Sequence, residues 1–551
     1  MRGPDSTHAH GSRWPGVDTG PAAAAGSPLT APILRIQGGS VRGAAVSGVY
    51  QFRGLPYAAP PTGELRWRPP QPPRAWDGVR DATEFGPSCP QPASLFAPPA
   101  PFSEDCLYLN IYTWTLRRDG GRPVLVWIHG GGFTEDGARN YDGSKLAADG
   151  VIVVTINYRL GALGFLAHPA LAARPGGPAG KYGLMDQQAA LRWVKHNIRQ
   201  FGGNPNDVTI AGQSAGGVSV LAQMVSRGSR GLFDRAIVES GAFALTQQPL
   251  AQAEAFGETA AAKVGCANQT AACLRQVPVA NLVNPNNFPS AAIPGVIDGK
   301  VLTESIGTAL ADGRFARVPI LNGVNHNEEW IFTAGLGLAV SGGRFVPVPE
   351  PVTDENSYQA DIAAVLGVSL ERAAAVAAEY PLSKYPAPVL AFSTLVSDAN
   401  FACPALQVDR WTSERVPTFA YQFNDDNAPS RFAGPKLPPI ATHSSEYQYL
   451  FDLPSTPFPG TLTPDQQTLA ASMRTAWASF AAGGDPSTRS LAWPLFTQGQ
   501  QVMSLVPPQP QVWTGFSDQH HCSYLGRRIG LLADRSLFTP QVLFPTMCST
   551  A

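Results

Sequence analysis

The sequence lacks long apolar segments, and it also lacks clusters of basic residues. No apolar run approaches the roughly 18–20 residues that a membrane-spanning helix requires, and residues 151–156 suit a buried strand instead. The 40 lysine and arginine residues are dispersed, and the formal net charge is −1. Because phosphate backbones are bound by clustered basic side chains, we expect neither a membrane span nor a nucleic-acid partner.

A secretory signal is also missing from the beginning of the chain. Residues 1–28 contain only the short apolar stretch Ala22–Ala25, whereas a signal peptide needs an apolar region of about 7–15 residues. The opening Met-Arg-Gly, with His8, His10 and Gly11-Ser12 after it, is typical of a vector-derived leader. We therefore exclude residues 1–30 from the fold and treat residues 31–551 as one large domain.

The cysteines include no Cys-x-x-Cys pair, which argues against a zinc site. Seven is an odd number, so ordinary reduced thiols and disulfides both remain open at this point. The positions are Cys89, Cys106, Cys266, Cys273, Cys403, Cys522 and Cys548.

Short apolar segments alternate with helical ones along the chain. The 551 residues are 44% hydrophobic, which is enough for a large buried core. The clearest predicted strands are residues 109–115, 124–128, 151–157 and 208–211. Residues 189–200 are a predicted helix with one apolar face. This alternation predicts the α/β class, with a central, mostly parallel twisted sheet and helices on both faces.

Two Ala-rich segments further along the chain are also predicted helices. They are residues 369–379 and 465–481. We expect them to cap the sheet and to form the walls of a gorge.

The most specific local pattern is Gly212-Gln213-Ser214-Ala215-Gly216, directly after the predicted strand 208–211. A G-x-S-x-G turn between a strand and a helix exposes the serine hydroxyl at the carboxyl end of the sheet. Its small residues permit the strained backbone that the turn needs. A plain Gly/Ser turn would have the same letters, but the preceding strand favours a catalytic nucleophile at Ser214.

A Gly-rich loop agrees with this interpretation. His129-Gly130-Gly131-Gly132-Phe133 follows the predicted strand 124–128. Acyl transfer places negative charge on a carbonyl oxygen, and such a loop directs backbone N–H groups at it. The N–H groups of Gly131, Gly132 and Ala215 are therefore the predicted oxyanion hole.

These motifs resemble the signatures of the type-B carboxylesterases and cholinesterases. Residues 201–216 resemble the family's serine signature, and Glu104-Asp105-Cys106-Leu107-Tyr108-Leu109-Asn110 resembles its second signature. Residues 52–58 and 65–70 are similar to the family's N-terminal loop. The resemblance extends from residue 33 to residue 530. It implies the α/β-hydrolase fold, with helical cap and gorge insertions, as a single carboxylesterase catalytic domain.

The resemblance also implies the other two members of a catalytic triad. The family's acid lies in a G-x-N-x-[DN]-E segment, here residues 323–328, so that Glu328 is the implied acid. The family normally has Gly next, whereas this chain has Glu329, which we expect to be a solvated loop charge. His443, with Glu446 three residues later, matches the family's base. The histidines that match no base motif are expected to be surface or structural residues: His168, His196 and His326.

Together these residues imply a serine carboxylic-ester hydrolase that forms an acyl-enzyme. Ser214 attacks the ester carbonyl, His443 takes and returns the proton, and Glu328 orients the imidazole. We expect no metal and no organic cofactor. The expected partner is a small-molecule ester, and the sequence leaves open whether the protein is a monomer or a dimer.

The resemblance implies a pairing of the cysteines as well. The implied disulfides are Cys89–Cys106, Cys266–Cys273 and Cys403–Cys522, with Cys548 left over. Because disulfides persist in oxidising compartments, we expect a secreted or periplasmic protein.

Departures from the family concern the substrate pocket. No Trp stands between Cys89 and Cys106, where cholinesterases have the ring that binds a quaternary ammonium. Gln213 replaces an acidic residue that many relatives have beside the nucleophile. We therefore expect choline esters to be poor substrates.

The acyl side of the pocket is predicted to be wide. Pro289 and Ala291 occupy the places of two Phe rings that narrow the acyl pocket of cholinesterases. Trp330 and Phe332 are further predicted pocket residues. Medium-sized or bulky carboxylic esters are thus the expected substrates.

Two other functions remain open from the sequence. The same triad could hydrolyse amides or carbamates. Relatives that lost the serine use this fold as a non-catalytic adhesion module, but all the triad and oxyanion residues are present here.

Overall fold

The structure is a computed structural model of the chain. It describes residues 31–94, 97–99, 101–118, 121–172, 179–288, 295–341, 344–348, 352–430, 439–455, 460–497 and 499–529. The predicted leader, residues 1–30, and Cys548 lie outside the described residues.

Within the described residues, a mixed sheet of 11 strands forms the centre of the fold. Its strands are β1 (Ala44–Val46), β2 (Val49–Pro56), β3 (Tyr108–Thr113), β4 (Arg122–Ile128), β5 (Ile152–Ile156), β6 (Gly203–Gln213), β7 (Arg235–Glu239), β8 (Ile320–Asn325), β9 (Thr418–Phe423), β10 (Val502–Leu505) and β11 (Gln511–Trp513). Their spatial order is β11-β10-β9-β8-β7-β6-β4-β5-β3-β2-β1. The run from β5 to β10 is parallel throughout, which confirms the predicted mostly parallel sheet.

Smaller sheets flank the central one. Ile33–Ile36 pairs with Gly39–Arg42, which in turn pairs with Val79–Asp81. Gln248–Pro249 pairs with Val296–Ile297, and Leu338–Ser341 pairs with Arg344–Pro347.

Helices cover both faces of the sheet. They are α1 (Ser144–Ala148), α2 (Gly161–Phe165), α3 (Tyr182–Asn197), α4 (Ala215–Val225), α5 (Leu250–Lys263), α6 (Ala271–Gln276), α7 (Val279–Leu282), α8 (Ile306–Ala311), α9 (Glu355–Leu366), α10 (Leu370–Ala377), α11 (Pro388–Ser397), α12 (Cys403–Ser413), α13 (Tyr447–Leu450), α14 (Pro464–Gly483), α15 (Phe516–Gln519) and α16 (Cys522–Ile529). The predicted helices 369–379 and 465–481 correspond to α10 and α14.

Helix α3 begins seven residues before the predicted start at residue 189. Its first two turns bury the polar side chains of Asp186, Gln187 and Gln188, so the apolar periodicity that marks a helix is absent there. The helix passes into a 3₁₀ turn at Ile198–Phe201, and Gly202, with a φ of 89°, ends it.

Alternation along the strands divides the core into two layers. Val126, Ile210 and Val238 pack on one face, whereas Ile237 and Leu321 pack on the other face with α14. Successive side chains of a strand point to opposite faces, so one apolar strand supplies both layers. The rigid sheet between them holds the carboxyl ends of its parallel strands at one edge.

The described residues form three disulfides. They are Cys89–Cys106, Cys266–Cys273 and Cys403–Cys522, the pairs that the family resemblance implied.

One helical stretch, Pro388–Ser413, is long and apolar enough to cross a membrane by length and composition alone. However, 78% of its most apolar window is buried inside the fold. It includes α11 and α12, which pack in the core.

Candidate active site

Ser214 lies on the turn between β6 and α4, at the carboxyl edge of the sheet. Its φ of 57° and ψ of −125° are strained for a residue with a side chain. The N–H of Ser214 donates to the carbonyl of Glu239 at 2.9 Å. Glycine is needed at position 216 because a Cβ on Gly216 would lie 2.0 Å from the carbonyl oxygen of Ile128. The local sequence therefore folds as the tight turn between a strand and a helix that was predicted.

The Gly-rich loop after β4 lies against this turn. A Cβ on Gly130 would stand 3.1 Å from the Cβ of Ser214. Gly131 and Gly132 have left-handed φ values of 77° and 58°, which favour glycine. Among the described residues, the N–H groups of Gly131, Gly132 and Ala215 have no hydrogen-bond partner. The loop thus leaves backbone donors available near the nucleophile.

His443 and Glu328 form a buried pair. The Nδ1 of His443 lies 2.6 Å from Oε2 of Glu328, and the two side chains are 5% and 1% exposed. The other carboxylate oxygen accepts from the hydroxyl of Ser240 at 2.5 Å and from the N–H of Asn325 at 2.6 Å. Three donors therefore hold the carboxylate in place, and the imidazole is oriented by one of its oxygens.

The second nitrogen of His443 is free. Its Nε2 is buried and has no hydrogen-bond partner among the described residues. Two aromatic rings enclose the imidazole, Phe332 at 5.1 Å and Phe401 at 5.4 Å between centroids. The ring is thus held in place with one nitrogen available for proton transfer.

Contacts on two sides hold the turn at Ser214, and one of them leads to the His443–Glu328 pair. The residue that accepts the N–H of Ser214 is Glu239, and the next residue, Ser240, donates to Glu328. On the other side, the hydroxyl of Tyr447 donates to Oε1 of Gln213, which directly precedes Ser214. Segments that are far apart in the sequence therefore meet around one point.

Glu329 is not the solvated loop charge that we expected. It is fully buried, and its Oε1 accepts from the N–H of Val340 at 2.9 Å. Burial raises the pKa of its carboxyl to about 8. The expectation was wrong because two later segments enclose this residue: the N–H of Glu329 donates to the hydroxyl of Ser397 at the end of α11 at 2.8 Å, and its side chain reaches the strand Leu338–Ser341.

The predicted pocket residues fall into two groups. Pro289 and Ala291 lie outside the described residues. Gln213, Trp330 and Phe332 are buried, and of these Phe332 contacts the imidazole of His443 while Gln213 adjoins Ser214.

The histidines without a base motif contact other side chains, away from Ser214. The buried His168 pairs with the side-chain oxygen of Gln269 at 2.8 Å, and Nδ1 of His326 lies 2.9 Å from Asp426. Burial lowers the pKa of His129, whose ring stacks on Tyr158 with centroids 4.4 Å apart.

Three residues at the site were missed in the sequence. They are Ser240, Phe401 and Tyr447. Ser240 directly follows β7 at the carboxyl edge of the sheet and has a φ of 48°, and the short apolar segment before it, residues 236–238, was an available signal. Phe401 and Tyr447 had no comparable signal, because they reach the site through packing.

Comparison with known proteins agrees with this geometry. Residues 30–524 match the carboxylesterase family.

The chain belongs to the carboxylesterase family.

Curated relatives cover most of this carboxylesterase. It is 36% identical to a fumonisin B1 esterase of Sphingopyxis macrogoltabida over 86% of each chain. It is 35% identical to a human cocaine esterase over 87% of this chain and 89% of that one. A solved PNB esterase structure superposes with a TM-score of 0.76 at 30% identity, and covers 92% of this chain and 100% of that one. The enzyme is thus a carboxylesterase with the α/β-hydrolase fold.

Proposed function

We propose that this carboxylesterase hydrolyses esters through a Ser214–His443–Glu328 triad and an acyl-enzyme intermediate. The observation that carries the proposal is the 2.6 Å contact between His443 Nδ1 and Glu328. This contact leaves Nε2 of His443 without a partner among the described residues. The end of β7 holds both other members, because the carbonyl of Glu239 accepts the N–H of Ser214 and the hydroxyl of Ser240 donates to Glu328. This is the arrangement of roles that a serine hydrolase requires.

Acylation follows from these positions. Nε2 of His443 accepts the hydroxyl proton while Oγ of Ser214 attacks the ester carbonyl carbon, and the carbonyl electrons move onto oxygen. The N–H groups of Gly131, Gly132 and Ala215 donate to this oxyanion. When the tetrahedral intermediate collapses, the alcohol leaves and takes the proton from His443. Glu328 stabilises the transient imidazolium.

Deacylation repeats these steps with water. His443 removes a proton from water, the hydroxide oxygen bonds to the acyl carbon, and the bond to Oγ of Ser214 breaks. The proton returns to the serine, and the carboxylic acid leaves. The left-handed glycines keep the oxyanion donors in place through both half-reactions.

We further propose that the substrates are medium-sized or bulky neutral esters. The support is the replacement of two expected Phe rings by Pro289 and Ala291, together with the neutral Gln213 beside the nucleophile. Relatives are named for esters as different as cocaine and fumonisin B1, so family membership alone does not choose among them.

A secreted, lumenal or periplasmic location is also proposed. Three disulfides support it, including one that joins residues 119 positions apart, because reducing compartments do not maintain such bridges. Peptide mapping without reduction should recover the same three pairs from protein isolated from its native host. Free thiols at these positions would contradict the proposal.

Replacement of the nucleophile tests the mechanism. Ser214→Ala should reduce p-nitrophenyl butyrate turnover by about 10⁴-fold or more while the fold is retained. Ser229→Ala removes a buried hydroxyl outside the site and should keep turnover. A fluorophosphonate should label the wild type and Ser229→Ala at Ser214 alone, as read by peptide mass spectrometry. Turnover retained within about tenfold in Ser214→Ala would refute the nucleophile.

A matched p-nitrophenyl ester, anilide and carbamate series tests the reaction class. We expect the ester to have the highest kcat/KM. Faster turnover of the anilide or the carbamate would assign the triad to that reaction instead.

A further inference from the structure

A row of polar side chains lies beneath the proposed triad, on one face of the sheet. Glu239 on β7 is paired in register with Gln213 on β6 and with Gly323 on β8, and Gly323 is paired with Tyr421 on β9. Residues paired in this way point to the same face. A Cβ on Gly323 would lie 2.3 Å from the ring of Tyr421, so the tyrosine ring covers this glycine.

Helix α14 and the residues before α13 cover the row. Trp477 donates its indole N–H to Oε1 of Glu239 at 2.8 Å, and its ring packs 5.3 Å from that of Tyr421. Glu446 approaches from the other side, where its Oε2 accepts from the amide of Asn325 at 2.6 Å. Glu239 and Glu446 are 0% and 1% exposed.

Several polar atoms in this enclosed space have no partner. Within the described residues they are Oε2 of Glu239, Oε1 of Glu446, the hydroxyl of Tyr421, Nε2 of Gln213 and Oδ1 of Asn325. No lysine or arginine among the described residues pairs with Glu239 or Glu446. Buried polar groups are nearly always hydrogen-bonded, and three of these atoms, those of Glu239, Glu446 and Asn325, are acceptors that lack a donor. A proton on a carboxyl oxygen would supply one.

The position of Glu239 gives this carboxyl a consequence for the reaction. Its own carbonyl accepts the N–H of Ser214, and its neighbour Ser240 donates to Glu328. The end of β7 therefore touches both the nucleophile and the acid. The side chain of Glu239 ties this strand end to α14 through Trp477.

We propose that Glu239 is a positioning residue that carries a proton on Oε2, so that a neutral carboxyl fastens the end of β7 to α14. The inference rests on the triad of the proposed function. As long as Glu239 is neutral, Glu328 is the carboxylate that acts on His443, and no second charge competes with it.

The surroundings of Glu239 predict how it titrates. Burial is the main cause that raises its pKa to about 8, and the indole N–H of Trp477 opposes this rise. The titratable groups that face it are Glu446 from the segment before α13, Tyr447 from α13, Tyr421 from β9 and Glu328 from the loop after β8. Burial raises the pKa of Glu446 as well. These four groups are therefore either negatively charged or neutral, and none of them places a cation beside Glu239.

A pH profile of kcat/KM tests the proposal. Wild-type activity should fall above about pH 8 as Glu239 ionises, because the new charge holds a proton on His443 and repels Glu328. Glu239→Gln has the shape of the neutral acid, so it should keep activity within about threefold at pH 7 and lose the alkaline decline. Glu371→Gln, at an exposed glutamate on α10, should keep the wild-type profile.

Trp477→Phe gives a second test. It removes the N–H that stabilises the ionised form, so the pKa of Glu239 should rise and the alkaline decline should move to higher pH. A purely structural role for Glu239 would change the level of activity but not the position of the decline. An unchanged decline in both variants, or a loss above about tenfold at pH 7 in Glu239→Gln, would overturn the proposal.

Thermal unfolding supplies a readout that needs no turnover. The folded-state pKa lies above the unfolded value, so the wild type loses stability as pH rises from about 4.5 to about 8. The Tm of Glu239→Gln relative to the wild type should therefore increase over this range. If Ser214→Ala were active, the proposed function would fail. If Ser214→Ala were inactive but the pH profiles of Glu239→Gln and Trp477→Phe matched that of the wild type, only the positioning role would fail.

Discussion

The described part of this enzyme contains two buried histidine–carboxylate pairs, which differ in the bonding of one histidine nitrogen. In the first, His443 binds Glu328 and its Nε2 has no partner among the described residues. In the second, Nδ1 of His520 lies 2.5 Å from Asp398 and its Nε2 lies 2.8 Å from the side-chain amide of Gln422. A histidine whose two nitrogens are both bonded is structural, whereas one with a free nitrogen can transfer a proton.

Left-handed backbone lies near both pairs, with more such residues around the first. Ser214, Ser240 and Ser444, all near the first pair, have left-handed φ values of 57°, 48° and 68°. In the second pair, Asp398 begins a π-helical turn, and its other oxygen accepts from the hydroxyl of Tyr380 at 2.8 Å. His521, next to His520, is left-handed as well, with a φ of 48°. Strain concentrates where the chemistry needs groups to converge.

Replacing each histidine in turn is the strongest test of the difference between the two pairs. His443→Gln should lower kcat/KM by about 10⁴-fold or more, because no other group there can act as the base. His520→Gln should keep turnover within about tenfold per folded molecule but lower stability by about 3–5 kcal/mol, because it leaves Asp398 buried without its partner. Steady-state kinetics and urea unfolding on both variants measure this. Equal losses of turnover would mean that the free Nε2 is not what distinguishes the pairs.

The two adjacent glutamates give the next largest contrast. Glu328→Gln should lose about 10³–10⁴-fold in kcat, because the imidazolium loses its counter-charge. Glu329→Gln should keep most activity, since burial holds the pKa of Glu329 at about 8 and its carboxyl is neutral at pH 7.

Stability against pH provides the control for this pair. The folded-state pKa of Glu329 is raised above the unfolded value, so its contribution to stability falls as pH rises from about 4.5 to about 8. Glu329→Gln should therefore gain stability relative to the wild type across that range in urea unfolding. If Glu329→Gln were the less active variant, the assignment of the acid would be shifted by one residue.

A smaller loss of activity is expected at Ser240, which donates to Glu328. Ser240→Ala removes a hydrogen bond to a charged carboxylate, which is worth about 1.5–3 kcal/mol and so about 10–100-fold in kcat. Ser229→Ala, a buried serine that bonds backbone carbonyls away from the triad, is the matched control and should change kcat less than about twofold. Similar losses in the two variants would show that Ser240 acts through the fold and not through Glu328.

The Cys403–Cys522 disulfide should have the smallest effect on turnover. It lies beside the second pair and closes a loop of 119 residues, so its removal should cost about 5 kcal/mol in the chain-entropy model. The Cys266–Cys273 bridge closes 7 residues and should cost about 2 kcal/mol. Urea unfolding of the two double Ser variants gives the difference, and kcat should stay within about threefold in both. A large loss of kcat without Cys403–Cys522 would connect the second pair to catalysis.

Much of the fold and part of the site could be predicted from the sequence. The strands were visible as short apolar segments because parallel strands are buried on both faces. The start of α3 was not, since polar residues such as Asp186 are buried there. Glu329 was misplaced for a related reason, because a charged residue in a loop gives no sign that a later segment covers it.

The sequence by itself determined the parts of the site whose geometry is local. The turn that places Ser214 at a φ of 57° between β6 and α4 requires glycine at position 212, because a Cβ there would lie 2.6 Å from the carbonyl of Gly216, only four residues later. Steric restrictions of this kind act within a few residues, so they produce a recognisable sequence motif.

The other groups around the proposed triad are brought together only by the tertiary structure. Ser240 meets Glu328 across 88 residues of chain, and Tyr447 meets Gln213 across 234. Glu239 obtains its donor from Trp477, 238 residues away. These contacts depend on how strands are ordered in the sheet and how α14 packs on it. The burial that shifts the pKa of a carboxyl arises from many segments together, so no single stretch of sequence contains it.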